Sequence, residues 1–417
     1  MQRFMFLLIF IAIYLALDYY AFQIVKHATE AYSAGLAKGL RITFWISSGL
    51  LILGLILFTT GGFMTAPRWV RAFFQGLTII VILPKLFLAV FALVDDLLRL
   101  GKWIVGLFDK SEPVAEKDSA GISRGEFIAQ AGMIAASVPI IGGSYAILSG
   151  AHDYRVRHRK VPIKNLPSGF EGLKVAQLSD IHSGSFWNKR AVMGGVEMVN
   201  NEKPDMILFT GDLVNDRATE MRDYGSVFEK LKAPMGIYSV LGNHDYGDYV
   251  QWSSAAAKKQ NLKDLLDVQK NMGWKPLIDE NVIFSEGGEK LALIGIQNWG
   301  AKGRFPKYGD LSKASIGTED ASAKILMSHD PSHWQAQVVP EFKDVDLMLS
   351  GHTHGAQFGI ETGNYKWSPV QLMYKEWADL YKEGNQHLYV NRGFGYLGFP
   401  GRLGILPEIT ILELVRA

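Results

Sequence analysis

The sequence of 417 residues contains no cysteine. Disulfides, thiolate nucleophiles and cysteine-type zinc sites are therefore excluded, and any metal must be held by histidine, aspartate, asparagine or glutamate. Net charge is almost absent as well, because 43 basic and 41 acidic side chains give a formal charge of +2. The chain thus lacks the basic field that attracts nucleic acid, and we expect no nucleic-acid partner.

Long apolar runs are abundant, and they concentrate in the first 150 residues. Mean hydropathy is +0.08, which is unusual for a soluble enzyme. Four runs are long enough to cross a bilayer, and they predict transmembrane helices at about residues 4–25, 42–64, 73–94 and 127–148. After the third run, "DDLLRLGKWIVGLF" collects four apolar residues on one helical face, which predicts a separate amphipathic helix at the membrane interface. We expect residues 1–150 to form a bundle of about four helices.

Two charged residues, Asp18 and Lys85, lie inside predicted spans. Charges in such positions tend to be paired or functional, so the two could form a buried pair that fixes the bundle, or one could contact substrate. Alternatively, Lys85 extends along its helix until its ammonium reaches an interface. The sequence favours this second interpretation.

Two short segments give opposing indications of membrane orientation. The basic stretch "RVRHRK" (155–160) would hold the following domain in the cytoplasm. The stretch "SRGEFI" (123–128) resembles a twin-arginine export signal with Gly125 in place of the second arginine, which would place the domain outside. We therefore expect a multi-pass protein, in a bacterial cytoplasmic membrane, with the side of its second domain undetermined.

From about residue 165 the pattern changes to short apolar runs that alternate with helix-compatible stretches, which is typical of an α/β domain. Five of these runs end at side chains that can bind metal. In open α/β sheets the carboxyl ends of strands form the ligand-binding crevice, so the five ends could converge. The residues that follow the runs are Asp180 and His182; Asp212; Asn243, His244 and Asp245; His329; His352 and His354.

The number and type of these side chains indicate two metals. Two carboxylates, an amide and several imidazoles are too many ligands for one tetrahedral ion, but they suit two neighbouring ions that share a carboxylate. Such a pair lowers the pKa of a bound water and clamps a transferring phosphoryl group. Oxygen and nitrogen ligands without sulfur admit Mn, Fe, Zn, Co or, less readily, Mg. Glycines precede Asp212, Asn243 and His352 and permit sharp turns there.

The ordered set D-x-H, G-D, G-N-H-D, H and G-H-T-H resembles the calcineurin-like metallophosphoesterase family, over roughly residues 165–417. The resemblance implies that residues 151–417 form a four-layer α/β/β/α sandwich. It implies a first metal held by Asp180, His182 and His354, a bridging Asp212, and a second metal held by Asn243, His329 and His352.

The resemblance also implies roles beside the metals. His244 would face the leaving group as an acid or charge stabiliser, and Asp245 would orient the backbone or His244. Arg392 and Arg402, in the glycine-rich tail, are candidates to bind a substrate phosphate or carboxylate. Five further histidines lack this context and are expected to be ordinary core or turn residues: His27, His152, His158, His333 and His387.

Details of the motifs favour one branch of the family. "GDLVNDR" and "GNHDY" depart from the G-D-x-V-D-R-G and G-N-H-E of Ser/Thr protein phosphatases and are more similar to the membrane-anchored bacterial branch, which includes enzymes acting on lipid or envelope phosphoesters. The helical spacing of Tyr374, Trp377 and Tyr381 predicts either a helix that borders the site and meets lipid, or an ordinary packed helix. Residues 298–311, "NWGAKGRFPKYGDL", could form a lid.

These observations predict a membrane-anchored phosphoesterase with two divalent metals, acting on a phosphodiester, pyrophosphate or phosphomonoester bond of a lipid-linked or other amphiphilic substrate. Two alternatives belong to other classes: a catalytically silent, metal-dependent binding or scaffold module, and a transporter or sensor that functions through its membrane half. The complete ligand set and His244 favour the enzyme. Only two charges interrupt the spans, too few for an ion path.

Overall fold

The computed structural model describes residues 2–62, 66–108, 122–303, 305–363 and 365–417. The chain divides into two compact units, Met1–Tyr145 and Ala146–Ala417. The first unit carries the apolar runs and the second carries the metal-ligand motifs. We refer to them as the membrane unit and the catalytic unit.

The membrane unit consists of long apolar helices. Among the described residues, four helices are long and apolar enough to cross a membrane, as the sequence predicts. They are α1 (Gln2–Ala28), α2 (Ala34–Thr59), α3 (Arg68–Phe108) and α4 (Arg124–Leu148). The end of the predicted second span, residues 63 and 64, lies outside the described residues.

The prediction of a separate amphipathic helix after the third span is wrong. Residues 95–108 continue the third span without a break, so that α3 is a single helix of 41 residues. Helix α3 contains Pro84, but no proline follows it before Phe108, and the Asp, Leu, Arg and Lys residues of this stretch are compatible with a helix. The chain therefore has no local signal that would end the helix at residue 94.

The interpretation of Lys85 as a snorkelling residue is also wrong. Its Nζ lies 3.0 Å from Asp18 Oδ2 and donates hydrogen bonds to Tyr14 Oη at 3.0 Å and Ser48 Oγ at 2.6 Å. Asp18 is 0% and Lys85 3% exposed. One ammonium on α3 thus binds partners on both α1 and α2. These partners offset the free-energy cost of burying a charged group inside the bundle.

The catalytic unit is built on two six-stranded sheets. The first has the order β1-β14-β2-β3-β4-β5, with β1 (Arg155–Ile163), β2 (Lys174–Leu178), β3 (Met206–Phe209), β4 (Ile237–Ser239), β5 (Lys275–Pro276) and β14 (Glu408–Arg416). The second has the order β12-β13-β9-β8-β7-β6, with β6 (Glu280–Glu286), β7 (Glu289–Gly295), β8 (Ala323–Met327), β9 (Leu347–Ser350), β12 (Asp379–Glu383) and β13 (Gln386–Val390). A small hairpin pairs β10 (Ile360–Thr362) with β11 (Tyr365–Trp367).

Helices cover the outer faces of both sheets. They are α5 (Lys189–Asn201), α6 (Gly225–Phe228), α7 (Ala255–Asn271), α8 (Leu311–Ala314) and α9 (Val339–Glu341). Helix α5 begins where the Asn188 side chain accepts the Ala191 amide, and its valines at 192, 196 and 199 face the sheet core. A central apolar cluster joins residues of both sheets, such as Leu208 and Ile325. The layers are α/β/β/α, which confirms the predicted fold class.

Strand direction places the ligand motifs at common edges. Strands β2, β3 and β4 are mutually parallel in the first sheet, and β8 and β9 are parallel in the second. Each of these five strands is fully buried except for Lys174 at the start of β2. Because both faces of each sheet are covered, the side chains on both sides of these strands are buried. The strands are therefore continuous apolar runs, which is the pattern seen in the sequence.

Candidate dinuclear metal centre

The seven predicted ligands all follow carboxyl ends of these five strands, and the structure gathers six of them into two groups. The ligand atoms within each group lie within 4.8 Å of one another. The first group is Asp180, His182 and His354, and the second is Asp212, His329 and His352. The seventh, Asn243, lies against the second group, with its Oδ1 2.9 Å from His352 Nδ1.

The backbone at these positions is strained. Five of the seven predicted ligands have a positive φ, between 48° and 69°: Asp180, His182, Asp212, His352 and His354. The left-handed conformation costs a residue with a Cβ roughly 1–2 kcal/mol. Strain of this kind is concentrated at functional sites, where the surrounding fold holds it in place. The five turns aim side chains inward at the expense of backbone energy.

Two glycines make room for these turns. A Cβ on Gly351 would lie 1.9 Å from Ser179 Oγ, and one on Gly242 would lie 2.2 Å from Asp212 Oδ1. Neither glycine has a positive φ, so it is close approach and not conformational freedom that requires them. The loops after β2, β3, β4 and β9 can therefore pack against one another.

The first group brings two imidazole nitrogens together. His182 Nε2 and His354 Nε2 are 3.0 Å apart, and His354 Nε2 is 3.2 Å from Asp180 Oδ1. His182 is fully buried, and this burial lowers the pKa of its imidazole well below the ordinary value. It is therefore neutral, which is the form that binds metal. Two ring nitrogens and a carboxylate that face one point suit a cation.

Asp212 lies between the two groups. Its Oδ2 is 3.1 Å from His329 Nε2 and 3.5 Å from His182 Nε2, so one oxygen faces a histidine of each group. Burial alone would raise the pKa of this carboxyl, but the nearby His329 and His244 outweigh burial and hold the pKa well below its usual range. An ionised carboxylate in this position fits the bridging role that the family resemblance implies.

Hydrogen bonds orient the second group. His329 Nδ1 lies 2.7 Å from the carbonyl oxygen of Thr210 and donates to it, so Nε2 is the ring nitrogen that faces Asp212. Asn243 Nδ2 donates to Tyr249 Oη at 2.8 Å, which leaves Oδ1 of the amide directed at His352. In addition, His329 Nε2 is buried and, although it lies 3.1 Å from Asp212 Oδ2, it makes no well-directed hydrogen bond. An inward-facing nitrogen of this kind fits a metal ligand, and the residues present thus suit two divalent ions.

Comparison with known proteins agrees with this geometry. Residues 2–151 match the family model "Probable Calcineurin-like phosphoesterase, transmembrane domain", and residues 173–356 match "Calcineurin-like phosphoesterase". An uncharacterized metallophosphoesterase of Bacillus subtilis, YkuE, is 30% identical over 299 residues, which cover 70% of this chain and 98% of the relative. The chain belongs to the calcineurin-like phosphoesterase family.

Two further relatives illustrate its range. A zebrafish (Danio rerio) "Transmembrane protein with metallophosphoesterase domain" is 30% identical over 363 residues, covering 85% of this chain and 75% of the relative. "Phosphodiesterase YaeI" of Escherichia coli is 26% identical over 262 residues, covering 62% of this chain and 87% of the relative. This phosphoesterase is therefore a hydrolase of phosphoester bonds with a transmembrane domain, and its family uses a dinuclear metal centre.

His244 borders the first group of this phosphoesterase. Its backbone amide donates to Asp212 Oδ1 at 2.8 Å, and its ring meets that of His182 edge-on with centroids 4.9 Å apart. Its Nδ1 lies 2.8 Å from the carbonyl oxygen of Asn215 and donates to it, which fixes the ring. The half-buried imidazole is thus held beside the two groups of candidate ligands, and its Nε2 takes no part in the bond to Asn215.

Asp245 contacts the backbone, which is one of the two roles expected for it. Asp245 is 0% exposed, and both of its carboxylate oxygens accept backbone amides. Oδ2 accepts Asp212 and Gly242 at 2.9 Å each, and Oδ1 accepts Leu213 at 2.8 Å and Val214 at 3.3 Å. Asp245 therefore fastens the loop after β3 to the loop after β4. It is a positioning residue, and it acts on the backbone.

The assignment of Arg392 to substrate binding is contradicted. Arg392 is 0% exposed, and its Nη1 donates to Glu408 Oε2 at 2.6 Å while its Nη2 donates to Glu361 Oε1 at 2.9 Å. Glu408 is also 0% exposed. A guanidinium that neutralises a buried carboxylate is part of the core, and it has no route to a substrate anion.

Arg402 is likewise buried, at 0% exposure. Its Nε and Nη2 donate to the carbonyl oxygen of Gly395 at 2.8 and 2.6 Å, and Nη2 lies 3.2 Å from His354 Nδ1. Burial lowers the pKa of this guanidinium to about 10. The side chain ties the C-terminal loop to a predicted metal ligand and does not reach substrate, so this assignment was wrong as well.

The segment that follows β11 is not a helix. Residues 374–378 form an irregular turn between Pro369–Leu372, a single 3-10 turn, and β12. Tyr374 and Trp377 are 4% and 3% exposed, so they do not face lipid. The prediction that the segment borders the site holds, because Tyr374 Oη lies 2.9 Å from His352 Nε2.

Sequence reasoning missed a carboxylate behind the same histidine. Asp330 Oδ2 lies 3.4 Å from Tyr374 Oη and 3.7 Å from His352 Nε2. Its position directly after His329 was the available signal. The predicted lid also lies here, since the Phe305 ring packs edge-on against His352 at 4.6 Å between centroids. His352 is thus surrounded on its outer side by a tyrosine, a phenylalanine and a carboxylate.

Proposed function

We propose that this phosphoesterase hydrolyses a phosphoester of a lipid-linked or otherwise amphiphilic substrate, using two divalent cations. Asp180, His182 and His354 would hold one cation, and His329, His352 and Asn243 the other, with Asp212 shared. The observation that carries the proposal is the Asp212 Oδ2 atom, which faces a histidine of each group. The cations would be Mn, Fe, Zn or Co, since the donors are oxygen and nitrogen alone.

The residues of the chain divide the chemistry between binding and proton transfer. When bound, the two ions lower the pKa of a water and offset the charge of the phosphoryl group. Asp212 and Asp180 supply the anionic charge that holds the ions, and Asp245 keeps the Asp212 loop in place through its amides. His244 stands beside the first group and would donate a proton to the leaving oxygen, or stabilise its charge, through Nε2.

Amphiphilic substrates are supported by the chain's own architecture. Four helices are able to span a membrane, so the catalytic unit stays close to a bilayer. The bacterial cytoplasmic membrane is the location that we propose, since relatives of the chain occur in Bacillus subtilis and Escherichia coli. Phosphodiester, pyrophosphate and phosphomonoester bonds are all compatible with a shared two-metal site, and the choice among them is an experimental one.

The test compares two soluble substrates and two variants of the full chain, purified with manganese. Bis-p-nitrophenyl phosphate reports diester cleavage, and p-nitrophenyl phosphate reports monoester cleavage. We expect His244→Ala to lower turnover by about 10²–10⁴-fold, as the loss of a general acid does. The matched control is His158→Ala, which removes an exposed imidazole that lies 2.8 Å from Glu202 Oε2.

Three outcomes separate the hypotheses. Turnover lost in His244→Ala and kept in His158→Ala supports the proposed role, and the preferred substrate names the bond. Equal turnover of the two variants would refute the role of His244. Bound metal without turnover on either substrate, in the wild type and in the presence of lipid, would favour the silent binding module.

A further inference from the structure

A short apolar tip stands at the border of the metal centre. Leu372 is 87% and Met373 63% exposed, and Gln371 beside them is exposed too. They lie at the end of the 3-10 turn Pro369–Leu372. A single exposed apolar residue is ordinary, but two large adjacent ones at a loop tip form a surface that water does not favour. We call Leu372 and Met373 the apolar tip.

The apolar tip is joined directly to the site. Tyr374 follows Met373 in the chain, is 4% exposed, and lies 2.9 Å from His352 Nε2 through its hydroxyl. From the other side, Lys302 Nζ donates to the carbonyl oxygen of Met373 at 2.6 Å, and Phe305 packs against His352. The tip and the loop that carries Lys302 therefore border the same histidine.

Basic side chains lie on the tip's own segment and on the segment whose Lys302 contacts it. Lys302, Lys307 and Lys375 are all exposed. The described residues of 300–308 include two basic residues and no acidic one, and residues 370–376 carry one of each sign, so the described residues of the two segments together have a net charge of +2. Apolar side chains that protrude from a basic rim are the combination that binds an anionic bilayer surface.

A protein partner fits the tip poorly. A stable protein interface buries about 800 Å² on each side, whereas the tip offers two protruding side chains. A bilayer, by contrast, needs only small apolar protrusions and positive charge. It is also always near, because the same chain has four helices that can span one.

We propose that Leu372 and Met373 insert into the surface of an anionic bilayer, and that the catalytic unit takes its substrate, a phospholipid-type phosphoester, from that bilayer. The headgroup phosphate then passes Tyr374 and Phe305 to reach the two groups of candidate metal ligands, while the acyl chains stay in the bilayer. The substrate class rests on the proposed function. The insertion of the tip does not, since it can be measured without turnover.

The absence of cysteine allows a direct test. Leu372→Cys and Met373→Cys, each in the full chain, carry the only thiol and are labelled with an environment-sensitive NBD fluorophore. The matched control is Ile316→Cys, because Ile316 is also apolar and 71% exposed but lies near β6, where its carbonyl accepts Asn281 Nδ2. Each protein is placed in nanodiscs of phosphatidylcholine and phosphatidylglycerol, about 7:3, with and without doxyl-labelled lipid.

We expect the label at residue 372 or 373 to emit at shorter wavelength than the label at 316 and to be quenched by doxyl lipid. The quenching should weaken in phosphatidylcholine alone and at high salt, because the lysines then attract the surface less. Labels at 372 and 373 that behave like the label at 316 would overturn the proposal. A shift that depends on protein concentration in detergent, without doxyl quenching, would assign the tip to a protein partner and overturn it as well.

Turnover is measured separately on the cysteine-free wild type with bis-p-nitrophenyl phosphate and with phosphatidylglycerol in the same nanodiscs. Hydrolysis of the soluble diester without hydrolysis or competition by phosphatidylglycerol, together with quenched labels, would refute the phospholipid class and leave the insertion in place. Active enzyme with unquenched labels refutes the insertion and spares the proposed function. The two failures are therefore distinguishable.

Discussion

Replacing Tyr374 with phenylalanine removes one hydroxyl and leaves the buried ring in place. The hydroxyl lies 2.9 Å from His352 Nε2 and 3.4 Å from Asp330 Oδ2. Without it, His352 Nε2 keeps only Asp330 at 3.7 Å, which is beyond hydrogen-bond length. The ring of this predicted ligand of the second metal would then keep a hydrogen bond at Nδ1, to Asn243, but lose the one at Nε2.

The magnitude follows from how such partners act. Loss of a partner behind a ligating histidine typically weakens metal affinity by about 10–100-fold. That range corresponds to about 1.4–2.8 kcal/mol. It matches the cost of about 1–3 kcal/mol for a buried polar group without a hydrogen bond. We therefore expect Tyr374→Phe to bind one of two manganese ions about 10–100-fold more weakly, with the other ion unaffected.

The assay is competition with a chelator, read as manganese retained per chain. The control is Tyr381→Phe, which deletes a hydroxyl that accepts only the amides of Trp377 at 3.1 Å and Ala378 at 3.4 Å. We expect the control to retain manganese as the wild type does. Equal retention by Tyr374→Phe and Tyr381→Phe would refute the reasoning that Tyr374 positions His352.

Two further predictions concern buried ion pairs. Arg392→Met should destabilise the catalytic unit by about 3–5 kcal/mol, because Glu408 is left charged in the core, and adding Glu408→Gln should recover much of the lost stability. Pulse proteolysis in urea measures both effects. A raised KM with unchanged stability would restore the substrate-binding role of Arg392. Lys85→Leu should destabilise the membrane unit by roughly 2.5–3.5 kcal/mol and Asp18→Leu in the same chain should compensate, as thermal unfolding in detergent would report. A stable Lys85→Leu would argue against the pair.

The motifs alone predicted much of the site, because each ligand stands directly after a strand. A parallel strand fixes where its carboxyl end lies, so the order of residues along the chain was enough to place Asp212 at the carboxyl end of β3 in the first sheet and His329 at that of β8 in the second. The long apolar runs were equally informative, since a bilayer fixes the length of the helix that crosses it. Both signals are local, and the four long apolar helices and the fold class are confirmed.

Long-range packing decided what the local pattern left open. Arg392 and Lys85 are separated in sequence from their partners Glu408 and Asp18, and nothing near them in the chain announces a pair. The spacing of Tyr374, Trp377 and Tyr381 suggested a helix, but the Tyr374 side chain is held by a hydrogen bond with His352, 22 residues earlier. Such contacts depend on how strands and helices pack in three dimensions.

The sequence by itself thus indicated the two-part organisation, the order of strands and candidate ligands along the chain, and a candidate dinuclear site, because these follow from residue type and from neighbours along the chain. Only the tertiary structure decided which charges are buried and paired, which side chains stand behind the ligands, and where an apolar tip is exposed. Burial depends on which distant segments cover a residue, and its free-energy cost depends on the partners that those segments bring.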